Sequence, residues 1–178
     1  GTTSVSSVAE GAIADVKAQE ASWQSSCNDA AIVVLSRNGS ESNDAYFYND
    51  DGNRYLGLSK NEIDLMAYLK SQKDAGVFGG IVVLINSEQA MELDWLDEYG
   101  VDACLIIGAV GYTGVVNVLT GAANPSGRVV DTYAANSMSA PAVTYAGQNT
   151  QKWSNLDWVA ANNPDWGADG TSESAWIL

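Results

Sequence analysis

Glu41 lies in a loop of small and polar residues, Ser36-Arg37-Asn38-Gly39-Ser40-Glu41-Ser42-Asn43-Asp44, directly after an apolar run. Gly39, Ser40 and Ser42 leave room for another chain or a ligand to approach its carboxylate. Taken alone, such a glutamate is either a catalytic carboxyl or an ordinary solvated side chain. Composition bounds the other chemistry. The chain has no histidine, which excludes Ser-His-Asp and Cys-His catalysis within it and every histidine-based metal site. Cys27 and Cys104 are the only cysteines, too few for a four-cysteine zinc site and not a Cys-x-x-Cys pair. Cys104 falls in an apolar run and reads as a buried, inert thiol. A disulfide between the two is allowed but not indicated. Asn49-Asp50-Asp51-Gly52-Asn53 invites a calcium reading, yet it lacks the alternating ligands and terminal glutamate of an EF-hand loop, so a polar turn is expected. No metal and no cofactor is expected.

The elements that must position Glu41 follow from the apolar pattern. Ser7 and Glu10 form a candidate capping box, after which Val5, Ala9, Ala12, Val16 and Trp23 recur on one helical face. Ala30 to Leu35 is rich in β-branched residues and suits a strand buried on both faces of a parallel sheet. A long polar loop runs from Ser36 to Gly57. Ser59-Lys60-Asn61-Glu62 is a second capping box, opening a helix whose Leu58, Leu65, Met66 and Leu69 share one side. Gly76 and Gly79-Gly80 end that helix and lead into a strand over Ile81 to Ile85. Ala90 to Glu98 reads as a short helix, Ala103 to Ile107 as a third strand, Val115 to Leu119 as a helix, and Arg128-Val129-Val130 as a short last strand after the Asn124-Pro125-Ser126-Gly127 turn.

Alternating strands and helices imply βαβ crossovers. The expected fold class is α/β, a three-layer α/β/α sandwich with a mainly parallel sheet. Ligand sites in such sheets lie beyond the carboxyl ends of the strands, which singles out the loops Ser36 to Gly57, Asn86 to Gln89 and Gly108 to Gly114. Residues 1–133 form the sandwich domain. Residues 134–178 are an irregular extension rich in Trp and Asn, including Trp153, Trp158, Trp166 and Trp176. It is expected to pack on this domain or on a missing neighbour, the other reading being indoles that stack on sugars.

The formal net charge is −14. Acidic charge repels phosphate backbones and anionic lipid, so neither nucleic acid nor a membrane surface is an expected partner. The bland reading of the charge is solubility. No apolar run reaches the ~18 residues that span a bilayer. The end at Leu178 shows no recognisable natural stop, so the chain reads as one part of a larger enzyme. Its compartment is left open between a bacterial cytoplasm and secretion.

Several segments in order resemble the carboxyl-terminal α/β sandwich domain of family 3 glycoside hydrolases, the β-glucosidase group. Asp29 to Arg37 is similar to that family's first strand with its Ser-Arg or Gly-Arg ending. Gly39 to Asp44 resembles the Gly-Glu-Gly-x-Asp loop, and Leu58 to Leu69 the Leu-Ser helix start. Val82 to Leu96 resembles the strand-turn-helix with an Asn-Ser turn, and Asn124 to Tyr133 the Asn-Pro-Ser-Gly-Arg signature. The resemblance covers roughly residues 24–133. The departures are Ser42 where a glycine commonly follows the glutamate, and Gly111-Tyr112-Thr113-Gly114 in place of a Gly-Gln-Glu-Gly-type segment.

The resemblance implies a division of labour. An amino-terminal barrel carries the nucleophilic aspartate and most sugar contacts, and the sandwich domain of many members supplies the general acid/base glutamate, matched here by Glu41. A retaining glycosidase needs two carboxyl groups roughly 5–5.5 Å apart across the scissile bond. The acid/base must start protonated, so its pKa must be raised by burial or a nearby carboxylate, and docking against the barrel would supply both. The chain alone is then expected to be inactive, with the barrel and a carbohydrate substrate as its partners. Arg37 and Asp44 flank the glutamate. Their functional reading is contact with the sugar or orientation of the loop; their bland reading is a salt bridge or turn hydrogen bonds.

Two other readings compete. One is a non-catalytic domain of the same family, serving assembly or carbohydrate contact. The other is a flavodoxin-like cofactor-binding module, with Ser36, Ser40 and Ser42 as a phosphate loop. Such a loop should run directly into a helix N-terminus, whereas the next helix starts only near Ser59, and Glu41 would repel a phosphate. A bound flavin would colour the protein yellow. A dinucleotide fold lacks its Gly-x-Gly-x-x-Gly after the first strand.

Overall fold

The structure is a computed structural model, and it describes residues 13–26, 28–37, 46–108 and 110–139. The chain divides into two compact units, Gly1–Ser137 and Met138–Leu178. Three parallel strands, β1 (Ala30–Ser36), β2 (Gly80–Asn86) and β3 (Ala103–Ile106), form one sheet in the order β1-β2-β3. The register pairs Ala30 with Gly80 through Ser36 with Asn86, and Val82 with Ala103 through Ile85 with Ile106. Ile107 N–H continues the ladder onto Ile85 O at 2.8 Å. The helices are α1 (Ile13–Ala18), α2 (Glu20–Ser26), α3 (Lys60–Asp74), α4 (Trp95–Glu98) and α5 (Tyr112–Leu119). None of the described helices is long and apolar enough to cross a membrane.

Strand alternation decides which helix covers which face. Val33 and Leu35 of β1, with Ile81, Val83 and Ile85 of β2, pack against Met66 and Leu69 of α3, Phe78, Met91 and Trp95 of α4. Trp23 of α2 joins the margin of that core and meets Tyr68 edge-on at 6.4 Å between centroids. On the opposite face, Leu84 and Ile107 pack against Val115 of α5, with Val82, Leu105 and Leu119 beside them. Helices on both faces of a parallel sheet give the expected three-layer α/β/α arrangement.

α3 shows how local chemistry fixes an element. The Ser59 side chain accepts from Glu62 N–H at 3.3 Å, and Glu62 Oε2 accepts from Ser59 N–H at 2.8 Å, completing the capping box. Asp51 Oδ2 accepts from Lys60 N–H at 2.6 Å, satisfying another free donor of the first turn. The backbone bonds from Lys60 and Asn53 hold the Asp51 carboxyl below its usual range. At the other end Gly76 takes φ 74°, which only glycine adopts freely. Gly76 N–H then reaches Lys73 O at 2.8 Å and Val77 N–H reaches Gln72 O at 3.0 Å, the paired bonds of a Schellman motif.

Four expectations are corrected. β1 is buried on one face only: Ile32 and Val34 are 54% and 55% exposed, because α5 lies over β2 and β3. Residues 90–94 are not helical. Their backbone is claimed by one tertiary bond, Glu92 N–H to Leu56 O at 2.7 Å, and one local side-chain bond, Trp95 Nε1–H to Glu92 O at 2.7 Å, so the helix starts at Trp95. α5 begins at Tyr112 and carries Gly114 inside it. Residues 128–130 form no strand, and Val130 is 96% exposed. Cys104 sits half-buried in β3, where burial pushes its thiol above the ordinary value. Cys27, Val5, Ser7, Ala9, Glu10, Ala12 and the four late tryptophans lie outside the described residues.

The alternation gives a direct stability test. Ile81→Ala, on the covered face, is expected to cost about 2–5 kcal/mol in urea unfolding. Ile32→Ala, on the open face of the neighbouring strand, is expected to cost about 1 kcal/mol or less. Equal losses would mean that the outer face of β1 is covered in solution.

Candidate active-site loop at the carboxyl end of the sheet

β1 and β2 end side by side, with Asn86 Nδ2 donating to Ser36 Oγ at 3.4 Å. The residue after β1 is Arg37. Its guanidinium has five N–H donors, and each has an acceptor within the chain. Nε–H donates to Tyr55 O at 2.6 Å. Nη1 donates to Ser36 O at 2.7 Å and to Glu62 Oε1 at 2.7 Å. Nη2 donates to Gly57 O at 2.5 Å and to Glu62 Oε2 at 2.6 Å. Arg37 and Glu62 side chains are 5% and 3% exposed, so this is a buried, two-pronged ion pair of the strong charge-assisted kind.

The pair joins both roots of the long loop. Ser36 stands before it, and Tyr55 and Gly57 stand at its end. The Arg37 guanidinium lies 5.9 Å from the Tyr55 ring centroid, and Tyr46 meets Tyr55 edge-on at 5.8 Å. Glu41 and Asp44 fall in 38–45, outside the described residues. The residues that bracket that segment, Arg37 and Tyr46, belong to one cluster on Tyr55. Downstream, Asn49 to Asn53 form a polar turn. Asn49 N–H reaches Asn53 O at 2.7 Å, Asn53 N–H reaches Asp51 Oδ1 at 2.9 Å, and Gly52 takes φ 83°.

A second ion pair holds the other side of the loop's end. Arg54 Nε and Nη2 donate to Glu92 Oε1 and Oε2 at 2.6 and 2.7 Å, and Ser137 N–H donates to Glu92 Oε1 at 2.7 Å. Burial pushes the Glu92 carboxyl up, but the Arg54 and Ser137 hydrogen bonds outweigh it and leave it below its ordinary value. Gly57 lies between the two pairs, and a Cβ there would come 3.0 Å from Glu92 Oε2. In the neighbouring loop, Ser87 Oγ donates to Gln89 O and accepts from Gln89 N–H. Gly108, after β3, approaches so closely that a Cβ would lie 2.6 Å from Ser87 O.

Sequence reasoning placed Arg37 and read Glu62 only as a helix cap. It missed Arg54 and Glu92 as a pair. A signal for Glu92 was present: a single carboxylate between Met91 and Leu93, in a stretch that ends on Trp95. A charge in such surroundings is buried only with a partner.

The sequence profile of the glycosyl hydrolase family 3 C-terminal domain matches residues 2–164, nearly the whole chain. The chain belongs to that family. In this family 3 domain the match runs beyond the resemblance at 24–133 on both sides, taking in α1, α2 and residues past Ser139. A search of curated proteins finds no match to it. As a family 3 C-terminal domain it is an α/β sandwich and part of a glycoside hydrolase context.

Two outcomes follow for the family 3 domain. Arg37→Ala strands a buried carboxylate and is expected to cost about 3–5 kcal/mol in denaturant unfolding, because removing one partner leaves the other uncompensated. A loss within the ±0.5 kcal/mol typical of surface positions would contradict the burial. The depressed Glu92 carboxyl contributes stability above its unfolded value of 4.5, which is lost as pH falls through the lower folded value. The stability gap between wild type and Glu92→Gln is therefore expected to be widest near neutrality and to narrow below pH 4.5. A gap that widens on acidification would reverse the assigned sign.

Proposed function

We propose that this chain is the C-terminal domain of a retaining β-glycosidase of the β-glucosidase type, and that it supplies Glu41 as general acid/base to an active site shared with an amino-terminal barrel. The observation that carries the reading is the family match together with Gly39 to Asp44, the loop glutamate segment that follows β1 in sequence. Loops in that position are where open α/β sheets meet ligands.

In this reading a barrel carboxylate attacks the anomeric carbon while Glu41 protonates the departing oxygen. Glu41 then takes a proton from the water that releases the sugar. A proton donor of this kind contributes about 10²–10⁴-fold. Its pKa must be raised, and packing against the barrel and its nucleophile would raise it by desolvation and like charge. Asp44 acts from the same loop on the sugar. Arg37 serves by orienting the loop, since its five donors are already engaged within the chain. The domain without its barrel is inactive, and the substrate is a carbohydrate.

The test uses the longer protein that includes the barrel. Glu41→Gln is compared with wild type on two aryl β-glucosides, one with a poor and one with a good leaving group. The expected result is a loss of about 10²-fold or more on the poor leaving group, where protonation is needed, and a much smaller loss on the good one. Unchanged rates on both would take Glu41 out of the chemistry and leave a domain that serves assembly or carbohydrate contact.

A further inference from the structure

We infer that Glu62 is a positioning residue for the acid/base loop, acting through Arg37; the inference rests on Glu41 being the acid. Glu62 stands on α3 in a cap, a place that by itself has only a structural meaning. Its carboxylate does more than close the helix. One oxygen takes Arg37 Nη1 at 2.7 Å, and the other takes both Arg37 Nη2 at 2.6 Å and the Ser59 N–H at 2.8 Å. The planar fork of the guanidinium is thereby fixed in direction. Its remaining donors then reach Ser36 O before the loop and Tyr55 O and Gly57 O after it. Tyr55 in turn bears on Tyr46, the first described residue beyond 38–45. One buried carboxylate thus fixes the residue that enters the segment holding Glu41 and ties it to Tyr55, against which the residue that leaves that segment packs. A reacting group displaced by 1 Å loses about 10²-fold in rate, so the geometry of these roots is expected to reach the proton-transfer step.

The test again uses the longer protein with its barrel, and sets Glu62→Gln beside Glu41→Gln and a core variant, Ile85→Val, as a control for simple destabilisation. Glu62→Gln is expected to lower kcat about 10-fold or more on the poor-leaving-group glucoside and far less on the good one, with the Ile85→Val control showing no such selectivity. Arg37→Lys keeps the charge but not the fork. It is expected to show the same selective loss and serves as the reading should Glu62→Gln fail to fold. A uniform loss on both substrates, or none, with Glu41→Gln still selective, would overturn the positioning role and leave Glu62 a cap. An unselective Glu41→Gln would instead overturn the acid/base reading, and this inference with it.

Discussion

A charge removed from water must be paired, and the loop end of this domain is arranged around two such pairings. Arg37 with Glu62 and Arg54 with Glu92 each join residues far apart in sequence. The first ties the end of β1 to the start of α3, and the second ties the loop's exit to the chain between β2 and α4. Neither pairing is a reliable source of net stability, because desolvation offsets much of the attraction. Their use is in specificity. Five donors with five acceptors at fixed directions admit one arrangement of the strand end, the loop exit and the helix start. A hydrophobic contact of the same size would tolerate several.

The elements that depend on repetition were legible in the sequence. β1 and β2 appear as β-branched runs and β3 as a short apolar one, and α3 announces itself by Ser59 and Glu62 at one end and Gly76 at the other. These signals are local, and local chemistry decides them. What could not be read from spacing was the tertiary use of the same residues. Residues 90–94 have the composition of a helix, yet Glu92 gives its N–H to Leu56 and its carboxylate to Arg54 and Ser137. The half-open state of β1 is likewise a matter of where α5 lies, which no run of apolar residues encodes.

The loop itself divides in the same way. Its position after the first strand and its glutamate among small residues are sequence facts. That Arg37 turns inward rather than toward a ligand is a structural one. A polar residue next to a candidate site carries no sign of its direction, and the partner that decides it, Glu62, lies 25 positions further on. The cap signature hid that partner, because a glutamate at that position already has an accepted local explanation.

The close approach of Gly108 to Ser87 O has a consequence for how two neighbouring strand exits are held. The chain leaves β2 toward the face that carries α4 and leaves β3 toward the face that carries α5. Among the described strands the order β1-β2-β3 does not reverse, so this parting of exits is not a topological switch point, only a gap between two loops. In this domain the absent side chain of Gly108 lets the two backbones meet across that gap. Main chain meets main chain there, so any side chain at position 108 would have to push the exits of β2 and β3 apart.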